Sequence, residues 1–324
     1  MKKKLISLLL AASLLLCGCT SGSSNNQTLN YTDVLFDTVI SIDIFDNTDE
    51  SILTDCKELC LKYDSLLSRT NEQSEIYAIN HAKGEFVEIS DETLELINQG
   101  LHYSELTNGA FDITIGAASS LWDFKSDEHS IPDEDKILSA IEHIDYNCIE
   151  IKDRSVRLTN PDAMLDLGAI AKGYIADKLK EYLVENGVEH ALINLGGNIL
   201  IIGSKPDGSN YNIGIQKPFD ETGQPITSVK VSNASLVTTG IYERCFEKNN
   251  TLYHHILDPA TGYPCQNNLY SVTIVTESSV MADALSTSCF LLGLEKGMEL
   301  INNLDGVEAL FITNDYEMHY SDNF

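Results

Sequence analysis

HALINLGGNILIIGS, residues 190–204, decides the fold. Two short apolar runs flank the Gly196–Gly197 pair, and a glycine pair between such runs turns one strand back on the next. The text continues in this style to residue 275, with NYNIGIQ (210–216), ITSVKVS (226–232), ASLVTTG (234–240), YHHILD (253–258) and YSVTIVT (270–276). No helical period separates these strands, so they pair antiparallel. The class is α+β, with largely antiparallel sheets flanked by helices, and not a doubly wound parallel sheet.

Outward from this block the periods alternate. FDTVISIDIF (36–45) puts Ile40, Ile42 and Ile44 on one face and reads as a strand. Ile52, Leu53, Cys56, Leu59, Cys60, Tyr63, Leu66 and Leu67 recur at three and four, which predicts a helix over 49–67. Further helices are expected over 91–106 behind a Ser90 or Asp91 cap, near 134–143, over 169–185 up to Gly187, and over 279–292 and 294–303. Short strands are expected at 148–151 and 155–158, with a closing pair, EALFIT and EMHYS.

The 324 residues carry 49 acidic and 21 basic side chains, a net charge of -28. A body this acidic repels nucleic acid and anionic headgroups alike, so neither is an expected electrostatic partner. Lys2, Lys3 and Lys4 precede a short apolar run that ends in Leu16-Cys17-Gly18-Cys19. That pattern reads as a signal peptide over 1–18 and resembles a lipobox, which implies a lipid on Cys19 and an extracytoplasmic, membrane-anchored protein. Residues 19–30 then form a polar tether to one two-lobed domain over 31–324. The other cysteines, Cys56, Cys60, Cys148, Cys245, Cys265 and Cys289, match no zinc spacing and read chiefly as buried free thiols.

Four segments bear chemistry. DLGAIAKGY (166–174) opens a helix with an acid, two glycines and Lys172, which suits an anion at the free N–H groups but also suits a plain turn. His254 and His255 precede the turn Asp258-Pro259-Ala260-Thr261-Gly262, and alternation lets at most one of them enter a given cleft. Asp283 and Thr287 lie one helical turn apart; they could offer oxygen ligands to a hard cation, or Thr287 could bond back to its own helix. In FDITIGAASSLWDF (111–124), Trp122 reads as a core anchor, and Asp112 and Thr114 fit turn positions as well as a site.

Taken in order, SLLSRTNEQSEIYAIN (65–80), GAFDITIG (109–116), DLGAIAKGY, NLGGNI, HHILDPATGYP and ADALSTSCFLLG resemble the ApbE family, the FAD:protein FMN transferases. The resemblance implies that FMN is moved from FAD to a threonine or serine of an acceptor protein, with AMP released and Mg²⁺ required. It implies metal ligation by the Ala169 carbonyl, Asp283 and Thr287, with Ser286 close by. It implies flavin-nucleotide contacts at Phe36, Thr70, Ala110, Phe111, Asp112, Asp166, Lys172 and Leu257, and a general base at His255. The chain departs from the family at Phe36-Asp37-Thr38, where many members read Met-Gly-Thr, and at Thr70, where an aromatic or amide can stand. The acceptor is expected to be an extracytoplasmic electron-transfer protein. A Mg²⁺-dependent FAD pyrophosphatase and a flavin-capturing lipoprotein without catalysis are the competing readings.

Overall fold

The computed structural model describes residues 28–126, 128–220 and 222–324. The signal segment, Cys19 and the tether up to residue 27 lie outside the described residues. Strand β1 (Leu29–Leu35) begins two residues inside the expected tether and pairs with β2 (Thr38–Ile44). Ile40, Ile42 and Ile44 all point into the core, as the alternation requires. Helix α1 (Ser51–Leu67) buries Ile52, Cys56, Cys60 and Tyr63.

A short α2 (Glu75–His81), capped by the Ser74 hydroxyl, and a two-residue β3 (Val87–Glu88) follow. Helix α3 (Asp91–Leu106) starts at Ser90, whose side chain accepts the Thr93 N–H. The single turn α4 (Gly116–Ser119), α5 (Glu134–Ile141), β4 (Ile149–Lys152) and β5 (Ser155–Leu158) complete the first lobe, with a small sheet in the order β3-β5-β4.

Helix α6 (Ala171–Glu185) leads into the strand block: β6 (Ala191–Leu195), β7 (Asn198–Ile202), β8 (Tyr211–Gln216), β9 (Pro225–Val231), β10 (Ser235–Gly240), β11 (Cys245–Lys248), β12 (Thr251–His254) and β13 (Leu269–Thr276). Helix α7 (Ser279–Asn302), β14 (Glu308–Thr313) and β15 (Met318–Tyr320) close the chain. Gly293 leaves helical geometry inside α7, with φ 76° and ψ 176°, so the two expected helices are the halves of one broken rod.

The central sheet runs β1-β2-β6-β7-β10-β13-β14-β15, with every pairing antiparallel. One face, with Ile193, Val237, Val272, Ile274 and Phe311, shares a core with residues of α1, α6 and α7. The opposite face, with Ile201, Leu236, Val275 and Leu310, meets Tyr211, Ile215 and Val231 of the β8–β9 hairpin. Cys56, Cys60, Cys148, Cys265 and Cys289 are buried free thiols, and Cys245 is half-buried and free. No helix among the described residues is long and apolar enough to cross a membrane.

Candidate active site

The segment that opens α6 is tied down from several directions. The Asp166 carboxylate accepts the Ser119 hydroxyl at 2.7 Å and the Gly168 N–H at 3.0 Å, and Arg69 Nε stands 3.2 Å from it. Three residues on, the backbone departs from a regular helix start. Ala171 N–H donates to Leu167 and Tyr174 N–H to Ile170, but Gly173 N–H donates to Asp283 at 2.9 Å. The Ala169 carbonyl, one turn before Gly173, therefore receives no backbone donor among the described residues.

Gly173 makes this crossing possible. A Cβ there would lie 2.7 Å from both the Ser279 carbonyl carbon and the Val280 Cα, so only a glycine lets α6 come this close to the first turn of α7. Asp177, one turn further along α6, accepts Ser279 N–H at 2.8 Å and Val280 N–H at 2.9 Å and so caps α7 from outside. Burial raises the Asp177 pKa, while these donors oppose the rise.

Asp283 is buried, with Lys172 Nζ 3.9 Å from its free oxygen. The Ser286 hydroxyl donates back to the Asp283 carbonyl at 2.9 Å, so the back-bonding considered for Thr287 falls to Ser286 instead. Thr239 on β10 stands 2.7 Å from the Ser286 hydroxyl and 3.1 Å from that of Thr287. Thr287 is only part-buried. A carboxylate, a carbonyl freed from its helix and a hydroxyl are three hard oxygen donors. This set fits Mg²⁺, which takes few carboxylates and completes its shell with water and phosphate oxygens.

The two histidines part as the alternation demands. His254 is buried, with Nε2 3.1 Å from the Cys265 carbonyl and its ring edge-on to Phe290. Burial pushes its pKa down to about 4. The His255 N–H donates to the Arg244 carbonyl at 3.1 Å, and Nδ1 lies 3.3 Å from the same oxygen. Nδ1 thus carries the proton and Nε2 keeps a lone pair. Burial, then the charges of Arg244, His254 and Lys172, push the His255 pKa down to about 3, so the ring is neutral at pH 7. Lys172 contributes to the lowering at His255, as the smallest of its causes, and its Nζ lies 3.9 Å from Asp283.

The remaining expected contacts divide. Phe111 is buried edge-on to Tyr103, and the Asp112 carboxylate is closed by Thr114 N–H at 2.7 Å, the Thr114 hydroxyl at 2.6 Å and Tyr146 N–H at 3.0 Å. Both side chains are held within the protein, and Ala110 beside them is half-buried. Leu257 bridges to Pro264 across the Asp258–Gly262 turn, and its side chain packs with Trp122 and Phe246. Trp122 anchors that turn through its indole N–H, which donates to the Gly262 carbonyl at 2.9 Å. Phe36 and Asp37 form the β1–β2 turn with φ of 54° and 60°, and Lys125 holds Asp37 at 2.6 Å. Thr70 is exposed beside Arg69.

Thr239, Arg69 and Ser119 lie inside the segments quoted above, and Arg244 lies between the strands expected at 234–240 and 253–258, but no periodicity marks any of the four. Two concavities, of about 420 and 490 Å³, contain neither Asp283 nor His255.

The ApbE family model matches residues 36–311. An FAD:protein FMN transferase of Klebsiella pneumoniae is 36% identical over 298 residues, 91% of this chain and 92% of the relative. One of Treponema pallidum is 35% identical, with 81% and 77% covered. The crystal structure of the ApbE protein from Thermotoga maritima superposes with a TM-score of 0.84 at 30% identity, covering 92% of this chain and 98% of that one. The flavin transferase ApbE from Vibrio cholerae gives 0.80 at 25% identity over the same shares. With its arrangement at the α6–α7 crossing and a family match over most of its length, the chain belongs to the ApbE family.

Proposed function

We propose that the protein transfers FMN from FAD to a threonine or serine hydroxyl of an acceptor protein and releases AMP. The observation that carries this reading is the α6–α7 crossing, where Gly173 N–H donates to buried Asp283 and leaves the Ala169 carbonyl without a backbone donor among the described residues. In the transfer, the acceptor oxygen forms a bond to the FMN phosphorus as the bond from that phosphorus to the bridging oxygen breaks. AMP leaves with the bridging oxygen and its electron pair. His255 Nε2 takes the proton of the attacking hydroxyl, and the Arg244 carbonyl holds the ring in the tautomer that can do so.

The Ala169 carbonyl, Asp283 and Thr287 would hold Mg²⁺, with Ser286 and Thr239 behind them. When bound, the ion supplies positive charge to phosphoryl oxygens that this acidic protein otherwise repels. Lys172 adds charge beside it, and the closed side chains of Phe111 and Asp112 keep the 110–112 main chain in place. Burial and then Arg244 hold the His255 pKa down, and an anion bound beside Arg244 would oppose the second of these and make the ring a stronger base.

A lipid on Cys19 would anchor the enzyme outside the cytoplasm near extracytoplasmic acceptors; Cys19→Ser should release it from the membrane fraction. The main test is mass spectrometry of a candidate acceptor co-expressed with wild type and with Asp283→Asn. Gain of the mass of one FMN less one water in the first and none in the second is expected. Free FMN with no modified acceptor would replace transfer by hydrolysis, and unchanged FAD would leave only capture.

A further inference from the structure

At the end of the central sheet away from the α6–α7 crossing, an imidazole and two carboxylates converge. Asp46 follows β2, and Glu189 and His190 lead into β6. One ligand atom from each lies within 4.8 Å of the other two. Strand register separates this corner from the oxygen cluster around Asp283. Val237 pairs with Asn198 and Asn198 with Leu195, so Thr239 lies on the side of the Gly196–Gly197 turn, whereas His190 stands beyond the Ala191–Ile202 pair at the other end. About seven residues of strand, or roughly 23 Å, lie between them.

Two of the three side chains are held from behind. Asp46 Oδ2 accepts the Glu189 N–H at 2.7 Å and the His190 N–H at 3.0 Å, which leaves Oδ1 clear of those bonds. His190 Nδ1 stands 2.7 Å from the Ser204 carbonyl, outside the trio, so Nδ1 carries the proton and Nε2 keeps its lone pair. Metal-binding histidines are oriented in this way, by an acceptor on the other ring nitrogen. Gly203 allows the approach: its φ is 64°, and a Cβ would lie 2.1 Å from the Glu189 carbonyl oxygen and 3.2 Å from His190 Nδ1. Two exposed carboxylates beside a half-buried imidazole, in a chain of net charge -28, leave an excess of negative charge that a cation relieves. Carboxylates alone would suit Mg²⁺ or Ca²⁺, and the imidazole turns the preference to zinc and its transition-metal neighbours.

We propose that Asp46, Glu189 and His190 bind a divalent transition-metal ion, Zn²⁺ foremost, which staples the exit of β2 to the entry of β6. Bonds of about 2.1 Å bring opposed donors to about 4.2 Å, a closure of at most about 0.6 Å that the exposed Glu189 side chain can make. Three protein ligands leave the fourth position to water. The site is independent of the flavin reading and of the Mg²⁺ ligands assigned to it.

The experiment titrates Zn²⁺ by calorimetry, with Mg²⁺ in excess, into wild type and into Asp283→Asn, which removes the carboxylate of the other oxygen cluster. One Zn²⁺ per chain is expected in Asp283→Asn, with a rise of a few degrees in melting temperature. Added to that variant, His190→Gln should weaken Zn²⁺ by about 100-fold and Glu189→Gln by about 10-fold, with the metal-free melting temperature unchanged. Co²⁺ in place of Zn²⁺ should give visible bands without thiolate charge transfer, which separates this site from the free cysteines. Absence of Zn²⁺ binding in both wild type and Asp283→Asn overturns the assignment, as does a thiolate band or an affinity that neither His190→Gln nor Glu189→Gln lowers. Should His190→Gln depress the metal-free melting temperature, Glu189→Gln decides alone, and undiminished Zn²⁺ affinity there overturns the assignment.

Discussion

Gly173→Ala is the change in which fold and chemistry meet. The new methyl would stand 2.7 Å from the Ser279 carbonyl carbon and from the Val280 Cα, and nearer still to the Ser279 oxygen. All three neighbours are backbone, so no side chain can swing away; α6 and α7 must part by roughly 1.1 Å for the nearest of them, the Ser279 oxygen, to reach ordinary contact. Overpacking of this kind costs about 1–3 kcal/mol, set against up to ~1 kcal/mol recovered because alanine is the better helix former.

The functional loss should exceed the stability loss. Parting the helices lengthens the Gly173–Asp283 bond and lets Gly173 N–H return to the Ala169 carbonyl, which removes one oxygen donor and misplaces another. Misplacement approaching 1 Å at a reacting centre can cost on the order of 10²-fold in rate. The assay pairs urea unfolding with steady-state transfer to a flavin-accepting protein, at saturating Mg²⁺ and at a tenth of it. We expect a folded variant with transfer down about 100-fold, partly rescued by excess Mg²⁺. Near wild-type transfer at low Mg²⁺ would refute the idea that this crossing frees the Ala169 carbonyl for a ligand.

His255→Ala should retain FAD affinity and slow transfer by about 10²- to 10⁴-fold, the usual worth of a general base, as read by single-turnover kinetics; an unchanged rate removes that role. Thr239→Val deletes the hydroxyl that joins Ser286 and Thr287 and should weaken Mg²⁺ binding by about 10-fold or more in calorimetry, with little change in melting temperature. Acid sensitivity should trace partly to His254, whose folded pKa of about 4 lies below its unfolded value. Between those values the unfolded chain takes up a proton that the folded one refuses, so stability falls as pH drops, by about 2 kcal/mol from pH 7 to pH 5. His254→Asn keeps a donor for the Cys265 carbonyl and should flatten that slope in urea midpoints; an unaltered slope assigns the acid sensitivity elsewhere.

Periodicity made the frame of this protein readable where one face of an element is uniformly apolar. Ile40, Ile42 and Ile44, the Ser90 cap and the break at Gly293 all stand where their local chemistry put them. Strand β1 escaped because Asp33 occupies a half-buried position of its alternation, where the Tyr31 hydroxyl satisfies it at 2.7 Å. Helix α2 and strand β3 are too short for a period to register, and β11, Cys245–Lys248, ends in two charged residues that break any apolar alternation. The site divides in the same way. Asp283 and Thr287 share a helix and were legible from their spacing, while Arg69 meets Asp166 only through tertiary packing.

Thr239 shows most clearly what a sequence withholds. Thr238 and Thr239 are chemically identical neighbours, and strand geometry sends them to opposite faces of the sheet. In the observed register Thr239 pairs with Val272 and faces α7, whereas Thr238 pairs with Thr273 and joins its hydroxyl at 2.8 Å on the hairpin side. A slip of one residue would exchange them and turn Val237 out of the helix-side core. What excludes the slip is the apolar content of the two faces: Val237, Val272 and Ile274 belong to the helix-side core, and Leu236 and Val275 to the hairpin-side core. The hydroxyl that steadies the proposed metal ligand is therefore selected by burial of residues that take no part in the chemistry.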